Sequence, residues 1–492
     1  MDYQLLFSAF RAQPDQARLS QQRQLHECLR HGIRTGVLAS GTRLPASRAL
    51  AADLRLARNS VLYAYEQLAT EGFLVASRRG SVVAPLAGRL AGASPVQAQV
   101  PAPRTGLSRR AQNMPVLPGS EAAGAFAPGV PSLVDFPVAR WRRMLDRAWA
   151  SLRPAQLNYA DPAGEPSLRE AIAGHLHVGR GALVDAGQVF ITDGTQASLD
   201  LCARAFADAG DKVWVENPGY QGAVAAFRAA QLKTIGIVVD GDGMAPSASD
   251  WLRQRPRLIY ATPSHQYPVG SVLSLSRRLA LIEGARQAGA LVIEDDYDSE
   301  FRHDGPPLAC MQGLAADAPV VYLGTFSKTL FPALRIGFMV VPAALAPALS
   351  NLLARAAPRG RIAEQLALAE FIRSGQFSMH LRRMRRLYRQ RRDALVEALA
   401  RQLGDVATVH GGSAGMHLAL RLHDDAADDV ALSARLLAQH GIMAPALSLH
   451  AVGLRVQPWR GFLLGYAQVP EEAMGPLVKK LASTVRSTAC AG

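Results

Sequence analysis

Gly324-Thr325-Phe326-Ser327-Lys328-Thr329-Leu330-Phe331-Pro332-Ala333-Leu334-Arg335 decides the reading of this chain. The segment follows the apolar run Val320–Leu323, so the backbone leaves a buried strand and turns through small hydroxylated residues to a lysine. Hydroxyls beside an amine suit a lysine that condenses with an aldehyde, and Arg335, seven residues on, suits a bidentate contact to a phosphate. Working outward, further runs at Val189–Thr192, Lys212–Glu216, Leu258–Thr262 and Leu291–Glu294 are β-rich and bounded by Gly, Pro or Asp. They read as buried strands of a mostly parallel sheet alternating with helices. The spacing predicts α/β architecture to about residue 350 and a smaller α+β segment beyond it.

Three more clusters sit at strand ends in this half. Asp193-Gly194-Thr195-Gln196 lies between a strand and a helix, where free N–H groups and the positive helix end attract an anion. Asn217-Pro218-Gly219-Tyr220 places an aromatic ring at the next strand end, and Glu294-Asp295-Asp296-Tyr297 closes another strand with carboxylates. Taken singly these are a turn, a cap or an acidic cluster. Taken in order with Lys328 and Arg335, they match the needs of pyridoxal phosphate: donors for its phosphate, a carboxylate for its ring nitrogen, a hydroxyl for its phenolic oxygen and an amine for its aldehyde.

Composition sets the frame. The 492 residues are 49% hydrophobic and 19% charged, enough for more than one core. Met1–Phe10 lacks a signal pattern, and the apolar stretch Ile336–Leu353 is broken by Pro342 and Pro347, so strand-then-helix is expected there rather than a membrane span. Cys28, Cys202, Cys310 and Cys490 have no metal spacing and fit a reducing cytoplasm; no metal site is expected. The net charge is +14, and residues 1–90 contribute twelve Arg, no Lys and six acids, a balance that favours anionic partners.

The basic N-terminal part predicts three helices and a hairpin. Gln21–Thr35 carries Leu25, Cys28, Leu29 and Ile33 at helical spacing; Ser47 is placed to cap a helix reaching Leu54; Arg58-Asn59-Ser60 opens a third with Val61, Ala64, Tyr65 and Leu68 inward. Gly72–Val75 and Arg78–Val83 then form a hairpin with a basic tip. A helix opening on Arg and Asn suits a major groove, and an arginine-tipped hairpin suits phosphates or the adjacent minor groove. Residues 86–118 turn to Ala, Pro, Gly, Ser and Gln, the texture of a linker.

Leu44–Ala51, Ala57–Tyr65 and Leu68–Gly72 closely resemble the GntR-type winged helix, with Ala46, Ala57 and Ser60 departing from its usual Ser, Ser and Thr. The later clusters resemble fold-type I aminotransferases and, through Thr262–Pro268, Ile293–Phe301 and Gly324–Pro332, the MocR/GabR-type branch of GntR regulators. The resemblance implies two domains and a linker: a winged helix-turn-helix at 1–85, mainly α with a β wing; a flexible linker at 86–118; and, at 119–492, a transferase-like domain that binds pyridoxal phosphate and ends in the smaller α+β subdomain. It implies that Lys328 forms the Schiff base, Asp295 pairs with the ring nitrogen, Tyr297 meets the phenolic oxygen and Tyr220 stacks on the ring. Thr195, Gln196, Thr325, Ser327 and Arg335 would hold the phosphate, and Tyr159 would reach the site of a partner in a homodimer. Arg48, Arg58, Asn59, Tyr63, Arg78 and Arg79 would touch DNA.

The expected function is a cytoplasmic transcription regulator that binds operator DNA and senses pyridoxal phosphate or an amine or amino-acid effector at Lys328. The alternative is an active aminotransferase with an accessory DNA-binding domain. Many aminotransferases place a substrate-carboxylate arginine where this chain has Leu463; Arg455 and Arg460 lie nearby, with no spacing that favours either. That loss argues against ordinary α-amino-acid transamination, leaving at most a residual half-reaction. The helix Phe377–Leu399 carries seven arginines, read either as a solvated face or as a second DNA-contact surface.

Overall fold

The structure is a computed structural model that describes residues 1–13, 19–77, 80–85, 108, 124–305, 307–315, 317–356, 360–453 and 459–489. It divides into two compact units, Met1–Gly106 and Leu107–Gly492. The linker expected over 86–118 lies, apart from Ser108, outside the described residues, as do Arg78, Arg79 and Arg455.

In the first unit, helices α1 (Tyr3–Arg11), α2 (Gln21–Arg34), α3 (Ser47–Leu54) and α4 (Arg58–Thr70) precede a hairpin of β1 (Leu74–Ser77) and β2 (Gly80–Val83). Leu25, Leu29 and Ile33 from α2 pack against Val61, Ala64 and Leu68 from α4, each almost wholly buried. Burying a side chain of this size stabilises by roughly 1.5–3 kcal/mol, so these contacts favour the packing of α2 against α4. Two details depart from the expectation. Ser47 is the first helical residue rather than a cap, and Ala57 leaves α4 without a side-chain cap. Helix α1, not foreseen, adds Tyr3, Phe7 and Phe10 to the same core.

The second unit is built on an eight-stranded sheet. Its strands are β3 (Val189–Thr192), β4 (Lys212–Asn217), β5 (Lys233–Asp240), β6 (Gly243–Met244), β7 (Leu258–Ala261), β8 (Leu291–Asp296), β9 (Val320–Thr325) and β10 (Gly337–Val340), in the order β3-β10-β9-β8-β7-β4-β5-β6. The run β9-β8-β7-β4-β5 is parallel, while β10 runs antiparallel to both β3 and β9. Alternate residues feed opposite cores: Val189, Ile191 and Tyr322 join one, and Phe190, Val321 and Leu323 the other. A sheet covered on both faces needs continuous apolar strands, which is why these runs stand out in the sequence. A smaller antiparallel sheet, β11 (Ala407–His410), β12 (His417–Leu422) and β13 (Gly461–Gly465), follows the 28-residue helix Gln376–Leu403. No described helix is long and apolar enough to cross a membrane.

The arginines of that long helix are largely engaged within the unit. Arg385 donates to the Glu300 carbonyl, Arg389 to that of His303, Arg391 to that of Ala467 and Arg392 to that of Gly412. Arg383 pairs with Asp135 at 2.7 Å. The helix therefore works as a clasp between neighbouring segments, a role neither sequence reading offered.

Candidate cofactor site

The site is assembled at the carboxyl ends of the parallel strands, where α/β sheets carry ligands. At the end of β8, Asp295 Oδ2 accepts a 2.7 Å hydrogen bond from Tyr260 of β7, while its Oδ1 is buried without a partner. Burial pushes this carboxyl up to about 7, against the opposing hydrogen bond from Tyr260. Beyond the end of β9, the turn Phe326-Ser327 brings Lys328 to the same place, where Nζ donates to the Gly129 carbonyl at 2.8 Å. Burial pushes the Lys328 amine down, offset by the charges of Asp298 and Asp295. Gly129 has φ +69°, and a Cβ there would stand 2.8 Å from Nζ. That left-handed backbone favours glycine, and a side chain there would also push the end of Lys328 aside.

Hydroxyl, amide and guanidinium groups gather at the first turn of the helix Thr195–Phe206. Gly194, at φ +92°, lets that helix begin directly after β3, and Thr195 Oγ1 is buried with no partner. Arg335 approaches the turn from a left-handed conformation and donates to the Asp193 carbonyl at 2.7 Å. Arg361, unremarked in the sequence, donates to the Arg335 carbonyl at 2.8 Å and lies 3.6 Å from Asp193. Ser327 N–H donates to Thr325 Oγ1, and Gln196 Nε2 to the Gly222 carbonyl. Tyr220 meets Tyr267 edge-to-face at 5.4 Å, and the charges of Asp295 and Arg335 both act on its hydroxyl.

The structure thus brings together Thr195, Gln196, Tyr220, Asp295, Tyr297, Thr325, Ser327, Lys328 and Arg335. It does not bring Tyr159 to them within one chain: that side chain is 92% exposed. Arg48, Arg58 and Asn59 are exposed on α3 and α4, with Tyr63 half-buried beside them. Leu463 is fully buried on β13, and Arg460 lies 3.4 Å from Asp429.

Sequence reasoning missed the support beneath these residues. Tyr297 donates its hydroxyl to the His265 carbonyl at 2.9 Å, and His265 Nδ1 lies 3.1 Å from Asp298. His417 packs on His265 with ring centroids 4.7 Å apart, and burial holds its imidazole well below the ordinary value. Donor atoms of His265, Asp298 and His417 lie within 4.8 Å of one another, but the His265–Asp298 hydrogen bond already accounts for that pair. Glu216 is buried with both oxygens bonded, to Thr262 and Gln266. The phrases containing His265 and Asp298 were visible; their contact across 33 residues was not.

The buried Asp295 has a consequence for stability. Its folded value of about 7 exceeds the unfolded value of about 3.9, so ionisation opposes folding. The penalty is absent below about pH 4 and complete above about pH 7. Asp295→Asn, which still accepts from Tyr260, is expected to raise the melting temperature of cofactor-free protein at pH 8 and to change it little at pH 4. An equal gain at both pH values would show that charge burial is not the cause.

A two-unit chain with an exposed Arg/Asn helix turn and a lysine-centred sheet-end site defines a DNA-binding regulator with a transferase-like domain. Comparison with known proteins agrees. Residues 131–481 match the family described as aminotransferase class I and II, and residues 21–83 match bacterial regulatory proteins of the gntR family. The chain is 38% identical over 94% of its length, and 93% of the relative's, to a probable rhizopine catabolism regulatory protein MocR of Rhizobium meliloti. It is 32% identical to the pyridoxine biosynthesis transcriptional regulator PdxR of Corynebacterium glutamicum, over 94% of this chain and 95% of that one. A kynurenine aminotransferase of Pyrococcus horikoshii, solved in complex with PMP, superposes with a TM-score of 0.69 at 26% identity, covering 78% of this chain and 97% of that one. The chain belongs to the MocR-type branch of the gntR family of transcription regulators.

Proposed function

We propose that the chain binds pyridoxal phosphate in its second unit and couples the state of that site to operator binding by its first. The observation that carries this reading is a pair of buried atoms without protein partners, Thr195 Oγ1 and Asp295 Oδ1, in a site that also holds Lys328 and Arg335. A buried polar atom left unpaired costs about 1–3 kcal/mol, a cost that a ligand with matching groups removes. Bound pyridoxal phosphate supplies an aldehyde that captures primary amines. Lys328 would hold that aldehyde, Asp295 would pair with the ring nitrogen, Tyr297 would turn its hydroxyl from the His265 carbonyl to the phenolic oxygen, and Tyr220 would stack on the ring. Thr195, Gln196, Thr325, Ser327 and Arg335 would hold the phosphate.

The chain acts as a cytoplasmic homodimer. Exposed Leu133, Val134, Val138, Trp149 and Leu157, in the same stretch as Tyr159, supply an apolar surface for the partner. Tyr159 then completes the partner's phosphate site. Residues 1–85 contact DNA through Arg48, Arg58, Asn59, Tyr63, Arg78 and Arg79, and residues 86–118 transmit the change as a linker. An amine that binds two domain arrangements with different affinity shifts their balance, and a coupling of about 1–3 kcal/mol is typical.

The test is binding to a duplex that the full-length protein itself enriches from random sequence. Arg58→Ala is expected to weaken binding by about 1–3 kcal/mol if it reads a base, or to lower the salt dependence by about one unit if it contacts a phosphate. Loading with pyridoxal phosphate is expected to shift the affinity. Unchanged affinity in both comparisons sinks the reading, and sustained turnover with an amino donor and a 2-oxo acid would favour the aminotransferase alternative.

A further inference from the structure

Antiparallel pairing of β3 with β10 decides which residues meet beside the first turn of the helix Thr195–Phe206. Thr192 stands opposite Gly337, which brings Asp193, just past β3, to Arg335, just before β10. The Arg335 guanidinium lies against Gly194, where a Cβ would stand 3.5 Å from its Cζ. Arg335 reaches this place from φ +51°, a conformation that costs free energy for any residue with a side chain. Among the described residues the left-handed non-glycines are Arg55, Phe126, Gln231, Arg335 and Arg361, and the last two are bonded to each other. Strain of this kind persists where the surroundings hold it, and it gathers at ligand clamps.

Arg361 supplies the hold. Its Nη1 donates to the Leu334 carbonyl at 3.1 Å and to the Arg335 carbonyl at 2.8 Å. Those carbonyls belong to the peptides on either side of the Arg335 Cα. One guanidinium therefore fixes both peptide planes, and with them the direction in which the Arg335 side chain leaves the backbone. Arg361 Nη2 also lies 3.6 Å from the Asp193 carboxylate, but both side chains are about half exposed, and such a pair contributes little. The charge-assisted bonds to the two carbonyls are the stronger contacts. Arg361 itself starts from a fixed point. It precedes the helix Ile362–Arg373, whose buried Gln365 donates to the Gly360 carbonyl at 2.7 Å and accepts from the Glu165 N–H at 2.9 Å.

Resting on the cofactor reading above, we propose that Arg361 is a positioning residue for Arg335. It raises the affinity for the cofactor's phosphate by holding the backbone of Arg335, and it does not bind the phosphate itself.

The experiment measures binding of pyridoxal phosphate and of pyridoxal, which lacks the phosphate, to full-length protein by visible absorption. The parent, Arg335→Ala, Arg361→Ala and the double variant are compared. Arg361→Ala removes two hydrogen bonds to carbonyls, so a loss of about ten-fold in affinity for pyridoxal phosphate is expected, with that for pyridoxal unchanged. Because Arg361 acts through Arg335, adding Arg361→Ala to Arg335→Ala should change the affinity by less than about two-fold. The full loss repeated in the Arg335→Ala background would place Arg361 on the phosphate itself and overturn the proposal. An equal loss for pyridoxal, which damage to the whole unit would produce, or no loss for either ligand, overturns it as well. A parent that binds neither ligand overturns the cofactor reading, and this proposal with it.

Discussion

Replacing Lys328 by alanine is expected to abolish covalent attachment of pyridoxal phosphate and to weaken its retention on the order of 100-fold, about 2.8 kcal/mol. The reasoning starts from the position of the amine. Nζ donates to the Gly129 carbonyl, and burial pushes the amine down against the charges of Asp298 and Asp295, which favours its nucleophilic form. Nothing else near it can take its place: the chain's other lysines are Lys212, Lys233, Lys479 and Lys480. Of these, Lys212 donates to the Arg253 carbonyl, and Lys233, Lys479 and Lys480 are exposed. The measurement is intact mass after borohydride treatment of loaded protein. The parent should gain one cofactor and the variant none, while a weak, reversible association persists through the phosphate contacts. A mass gain surviving in Lys328→Ala would put the attachment on another lysine and remove the basis for the site.

The strands that carry the site were legible because each is buried on both faces, which leaves a short apolar run between turn residues. Lys212–Asn217 and Val320–Thr325 are of this kind, with the polar residues at their ends continuing the strand by one or two positions. Strand β10 was read as a strand, but its reversed direction was not legible, because the same apolar run serves parallel or antiparallel pairing. Lys328, Asp295 and Arg335 were legible through the chemistry of their immediate neighbours. His265, Asp298, Arg361 and Gly129 were not, because their partners lie tens to hundreds of residues away and no local pattern marks them. The arginine-rich helix shows the same limit from the other side. Composition suggested a charged surface, whereas Arg385, Arg389 and Arg392 reach back to carbonyls of segments that only the fold brings beside them.

The second large effect is expected at a buried ion pair just behind the cofactor-site residues. Arg180 closes the helix Pro166–Arg180 and reaches under the sheet, its Nη2 standing 2.7 Å from Asp296 and 2.6 Å from Ser264 Oγ. Its Nη1 donates to the Leu308 carbonyl, and Tyr322 donates to the same Asp296 oxygen at 2.6 Å. Arg180 and Asp296 are 6% and 5% exposed, so neither charge can be left to water. Arg180→Met would strand the carboxylate with Tyr322 as its remaining donor, since Asp296 Oδ1 is buried without a partner. Breaking a buried pair in this way costs about 3–5 kcal/mol, against almost nothing for most exposed pairs. The urea midpoint should therefore fall sharply in Arg180→Met and recover in large part in the double variant with Asp296→Asn, which removes the stranded charge. Because Asp296 lies between Asp295 and Tyr297, the single variant should also retain less cofactor than its folded fraction alone would explain. An unchanged midpoint would mean that water reaches Asp296 in the variant. A double variant no more stable than the single one would mean that the loss comes from the Leu308 and Ser264 contacts rather than from the charge.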